Sequence, residues 1–163
     1  MVNSIEERLA SSHLERLAKN LVARLGESGM NKPEFAKSIG MSGSQFRYVR
    51  SRVANPSIEM LAKISAKLET PLYELLEDAK LGRRRDLSAK RMMKSLSAIE
   101  KKKHAESGLD KEEFAKAIGV SLPQLHLMLR GDSNPSLLAV IEIARRLGVG
   151  MLELLGIEPI RTR

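Results

Sequence analysis

The chain has 163 residues, 42% hydrophobic and 29% charged, with a net charge of +8 and a pI near 9.9. It contains no cysteine, which excludes disulfides and thiolate metal sites and makes a reducing cytoplasm the expected setting. The charged N-terminal run MVNSIEERLASSHLERL excludes a signal peptide, and Glu142, Arg145, Arg146 and Glu153 interrupt the most apolar stretch, so no membrane span is expected.

In chain order, Leu14, Leu17, Ala18, Leu21, Val22 and Leu25 recur at helical spacing and predict an amphipathic first helix ending between Gly26 and Gly29. Asn31, with Glu34 three residues on, caps a second helix that buries Phe35, Ala36 and Ile39 and stops at Gly40. Only a tight turn fits before Ser42, the next cap, with Gln45 at its third helical position. The third helix buries Phe46 and Val49 and leaves Gln45, Arg47, Tyr48 and Arg50 outward. A loop through Asn55 and Pro56 leads to a fourth helix capped by Ser57, with Ile58, Leu61, Ile64 and Leu68 inward. A short helix from Leu72 to Leu76 closes the unit.

The same text then repeats. ESGMNKPEFAKSIGMSGSQFRYVRSRVANPS from Glu27 returns from Glu106 as ESGLDKEEFAKAIGVSLPQLHLMLRGDSNPS at a constant offset of 79, and 20 of the 51 positions from 27 to 77 match their partners. Asp110 with Glu113, and Ser121 with Gln124, repeat the caps, while Leu125 and Met128 take the buried positions of the third helix. An ungapped duplication of this kind predicts two tandem units of roughly 65 residues, each marginal alone at that size. The expected organisation is therefore a first domain over 1–78, a basic linker over 79–87 and a second domain over 88–163.

Most of the excess charge lies between the copies, where residues 81–105 hold nine Lys or Arg against two acids. Helix is expected to restart after Asp86, with Leu87, Met92, Leu96 and Ile99 on one side and Met92 and Met93 as core or interface filler. Arg83, Arg84 and Arg85 suit a phosphate strand or the minor groove better than a bare solvated linker.

The run EFAKSIGMSGSQFRYV with the NPS corner and LYELL, and in the second copy EEFAKAIGVSLPQL, LRG, NPS and LGVGMLELLG, resemble the DNA-binding domains of the lambda repressor, Cro and xenobiotic-response-element (XRE) family. The resemblance covers about 14–77 and 88–157. It implies an all-α fold of two tandem five-helix lambda-repressor-like helix-turn-helix domains joined by a basic, partly helical linker. It also implies a third helix of each copy in the major groove of double-stranded DNA. On that footing Ser42, Gly43, Ser44, Gln45, Arg47, Tyr48 and Arg50 form the reading face of the first copy, and Gln124, His126 and Arg130 that of the second. Lys32 and Lys111, opening the second helices, and Asn55 and Asn134, in the following loops, are expected at phosphates. Each Gln also has a simpler role as a capping partner, and each Asn as a turn former. Arg52 stands where the family often has the glycine kept as Gly131.

His13, His104 and His126 lack metal-ligand spacing, and no phosphate loop or nucleophile elbow occurs, so neither an enzyme nor a cofactor is expected. The expected function is a sequence-specific transcriptional regulator, a repressor at operators of a mobile element or phage. The alternative is a protein-interaction module, antiactivator- or antitoxin-like, that binds another regulatory protein. Leu122, Leu127 and Leu129 are expected to be exposed, which favours a homodimer and a second copy that contributes less base reading.

Overall fold

The computed structural model describes residues 3–77 and 88–157, with side chains in the first helix described from residue 12 onward. The described residues contain ten helices and no strand, in two compact units. The segment expected to form the linker, with Arg83, Arg84, Arg85 and Leu87, lies outside the described residues.

The first unit comprises α1 (Asn3–Ser28), α2 (Lys32–Ser38), α3 (Gly43–Arg50), α4 (Ile58–Leu68) and α5 (Leu72–Leu76). Its core is built by Leu14, Leu17, Ala18 and Leu21 of α1 against Phe35, Ala36, Phe46, Val49, Ile58, Leu61, Ile64, Leu75 and Leu76. Phe35 and Phe46 meet edge to face at 5.5 Å, which locks α2 onto α3. α1 also ties down the C-terminal turn of the unit. Asn20 donates to the Glu74 and Leu75 carbonyls at 3.0 and 3.1 Å, and Arg24 donates to the Thr70 hydroxyl at 2.9 Å. Val22, expected on the buried stripe, is instead 44% exposed, because it falls one residue past Leu21 and outside the arc that faces α3 and α5. Leu68 is half-buried.

The second unit comprises α6 (Ala89–Ser107), α7 (Lys111–Ile118), α8 (Leu122–Arg130), α9 (Leu137–Leu147) and α10 (Met151–Leu154). Ser88 caps α6, and Met92, Met93 and Leu96 are buried in the core of the unit. Phe114, Ala115, Ile118 and Leu125 form its centre, with Leu122 and Leu129 packed against them. Two of the three leucines expected to be exposed are thus partly buried. They lie three residues before and four after Leu125, on the same side of the helix, and only Leu127 stands out, at 40% exposure. Glu142 on α9 accepts from Arg145 and Arg146, and these hydrogen bonds, chiefly that of Arg145, hold its carboxyl down to about 2.

The expected caps occur at Asn31, Ser42, Ser57, Asp110 and Ser121, where each side chain accepts the backbone N–H three residues on. The copies differ at the exits. After α8 and α9, Gly131 and Gly148 adopt φ of 76° and 67°, and at the corresponding positions of the first copy Arg52 and Glu69 take φ of 62° and 49°. The backbone path is kept although a side chain opposes it. Arg52 gains a 2.8 Å ion pair with Glu15 on the surface. Glu69→Gly should therefore stabilise the first unit by about 0.5–1 kcal/mol, relief of left-handed strain exceeding the entropy of the added glycine. Heat unfolding of the variant checks this, an unchanged or lowered midpoint being the contrary result.

Candidate nucleic-acid interface

In the first unit, α2 and α3 are joined by residues 39–42, a connection too short for anything but a turn. The two helices are fixed by Phe35 and Phe46 beneath, so α3 presents a set outer face. Gly43, Ser44, Gln45, Arg47 and Tyr48 are exposed on it, and Arg50 is half-buried. No acid occupies the first turn of α3, and Arg47 and Arg50 lie in its last. The Arg47 guanidinium sits 5.2 Å from the Tyr48 ring centroid, an arrangement that restrains a long side chain on the surface. Lys32 is exposed at the first position of α2.

Gln45 is not a free side chain. Its Oε1 accepts the Ser42 N–H at 2.8 Å, while the Ser42 hydroxyl accepts the Gln45 N–H at 3.1 Å. The carboxamide NH2 remains able to donate outward. Gln45 can thus keep its cap and still offer donors to a base, and the second lone pair of Oε1 stays available to accept from one. Gln124 repeats the arrangement with Ser121 at 2.9 and 3.3 Å.

In the second unit, residues 119–121 make the turn between α7 and α8. Lys111, His126 and Arg130 come together around one cleft, with Arg130 paired to Asp132 at 3.3 Å. Gln124 and Asn134 border a second groove of about 340 Å³, floored by Val120, Leu127, Met128 and Ile143. Asn55 and Asn134 are both exposed and both engaged in interactions of their own. Arg83, Arg84 and Arg85 lie outside the described residues, so their part in the face rests on sequence.

Sequence reasoning missed two residues of the second unit. Lys101 and His104 of α6 line the cleft that holds Lys111, His126 and Arg130. The signal was present in the duplication, because the first copy has Val22 and Leu25 at these positions. It also passed over Glu100, which is fully buried with neither carboxylate oxygen partnered. Burial pushes its carboxyl up to about 8.

Among the described residues no group of three or more His, Asp or Glu is placed to hold a metal ion, and no helix is long and apolar enough to cross a membrane. No curated protein and no solved structure matches the chain. A helix-turn-helix family model does match, over residues 99–154, from the second half of α6 to the end of α10. That stretch is all-helical and carries the short turn between α7 and α8, and helix-turn-helix modules place the second helix of such a pair against DNA. Residues 99–154 thus match the helix-turn-helix family, one of DNA-binding transcription regulators rather than of enzymes.

Proposed function

We propose that the protein is a sequence-specific DNA-binding transcription regulator, a repressor that occupies operator DNA of a mobile element or phage, built from two tandem helix-turn-helix domains. The observation that carries the reading is the family match at 99–154, extended to the first unit by the offset-79 repeat and its repeated caps. α3 is the main reader, through Gln45, Arg47, Tyr48 and Arg50, with Ser42, Gly43 and Ser44 at its entry and Lys32 and Asn55 on phosphates. α8 contributes Gln124, His126 and Arg130, with Lys111 and Asn134 on the backbone. Leu127 offers nothing to phosphate and leaves base edges unpaired, so this second face reads less sequence. A homodimer belongs to the reading, supported by the exposed Leu127 and not by Leu122 and Leu129, which pack against the core.

The test compares Gln45→Ala/Arg47→Ala with Gln124→Ala/His126→Ala on duplexes selected from a random pool. The first pair is expected to lose most of the affinity and to flatten the selected motif. Equal losses from the two pairs would make the heads equivalent readers. Leu127 and the groove beside it favour one second reading, a module that binds another regulatory protein; saturable binding with no preference among duplexes would favour it.

A further inference from the structure

Among the described residues, Arg52 and Glu69 alone take positive φ without being glycine, and Arg52 directly follows the C-cap of α3. Its N–H bonds the Val49 carbonyl at 3.0 Å, and the Val53 and Ala54 N–H groups bond the Tyr48 carbonyl at 3.0 and 3.2 Å. The Arg52 guanidinium crosses to Glu15 on α1 at 2.8 Å. Apolar burial does not hold this corner, since Ser51 and Arg52 are exposed and Val53 is 74% exposed. The second unit fastens the same corner differently. There the Ser97 hydroxyl on α6 donates to the Leu129 carbonyl, the Ser133 hydroxyl meets the Met93 sulfur at 3.7 Å, and Gly131 takes the left-handed backbone with no side chain to oppose it. At offset 79 the first unit has Ala18 and Ala54 in place of Ser97 and Ser133, so both ties are lost, and Glu15 stands where the second unit has Lys94.

We infer that Arg52 is a positioning residue for base reading, holding the exit of α3 to α1 through Glu15; this rests on the DNA-reading role proposed for α3. An exposed ion pair adds little stability and a left-handed arginine costs some, so the pair is not explained by stability. Backbone strain persists where its surroundings over-determine it, and such places collect at elements that contact a ligand. α3 is eight residues long, and its entry is fixed by the Phe35 and Phe46 rings and by the Ser42 and Gln45 cap. A second fixed point at the exit sets the tilt of the helix, and with it where Arg47, Tyr48 and Arg50 meet DNA. Loss of that point should spare attraction to phosphates, which falls slowly with distance, and weaken base contacts, which need hydrogen-bond geometry.

The experiment compares Arg52→Gly, Glu15→Gln and the exchanged pair Glu15→Arg/Arg52→Glu in the full chain. Glu69 shows that a glutamate takes this backbone in the same unit. Each single variant should weaken binding to the selected duplex about tenfold, the worth of roughly one base contact, and leave binding to random duplex within about twofold. The heat-unfolding midpoint should hold for Glu15→Gln and hold or rise for Arg52→Gly. Hydrogen exchange of the Val53 and Ala54 amides, measured without DNA, should quicken about threefold or more in both single variants. The exchanged pair should restore both affinity and protection. Undiminished affinity for the selected duplex in either single variant, or an exchanged pair no better than the single ones, would overturn the proposal. A loss from Arg52→Gly alone, equal on selected and random duplexes, would overturn it too and make Arg52 a direct phosphate contact. A parent chain that prefers no duplex loses the DNA reading; quickened amide exchange in Glu15→Gln then still upholds the brace on α3, and unchanged exchange removes it.

Discussion

Replacing Glu100 by leucine should stabilise the second unit by about 2–4 kcal/mol at pH 7 and remove most of its pH dependence. Glu100 is fully buried on α6, both its oxygens lack partners, and its carboxyl stays protonated up to about pH 8. Because the folded-state value lies above the ordinary 4.5, the folded state binds more protons than the unfolded chain between those limits. The contribution to stability is therefore fully present below about pH 4.5 and is lost as pH rises through about 8, at up to about 1.4 kcal/mol per pH unit. The first copy holds Leu21 at this position, fully buried, which shows that the site accepts a leucine in an equivalent helix. Both tyrosines, Tyr48 and Tyr73, lie in the first unit, so unfolding of the second is best followed through amide resonances of α6 to α8 in urea at pH 5, 7 and 9. A wild-type second unit equally stable at the three values, or a leucine variant that keeps the slope, would remove Glu100 as its cause.

Gln45→Glu should separate the two roles of Gln45. A glutamate at the third helical position keeps the capping box, as Glu34 does with Asn31, and adds a charge favoured at a helix start, so stability should hold within about 0.5 kcal/mol. It cannot donate to a base and it repels phosphate. Affinity for the best selected duplex should fall by about 1–3 kcal/mol or more. Gln45→Ala keeps the backbone N–H bonded to the Ser42 hydroxyl but removes the acceptor for the Ser42 N–H together with the base donor, and should lower stability by about 0.5–1 kcal/mol and affinity by about 1 kcal/mol or more. If the glutamate variant bound the selected duplex as tightly as the parent, Gln45 would be a cap and nothing else.

The fold was legible where the chain speaks locally. Each cap at Asn31, Ser42, Ser57, Asp110 and Ser121 is an oxygen-bearing side chain satisfying amides within its own turn, which a sequence states directly. The buried pairs Phe46 with Val49, and Leu125 with Met128, followed from helical spacing. Leu122 and Leu129 align with the outward residues Gly43 and Arg50 of the first copy, yet their spacing from Leu125 turns them toward the core. Lys101, His104 and Glu100 were harder, since their importance comes from what α7 and α8 bring alongside α6, and the spacing on one helix does not carry it. Both roles of Gln45 are legible in the sequence, but only the structure shows its Oε1 accepting the Ser42 N–H.

The chain is expected to read DNA sequence through α3. Repeated selection of bound duplexes from a random-sequence pool by the full chain, with each round sequenced, tests it most directly. A motif that sharpens with each round, bound with an affinity that falls by about 0.9 log units per log unit of salt for each phosphate neutralised, is the predicted result. A pool that stays random at low salt, or bound duplexes whose affinity ignores salt, would contradict it.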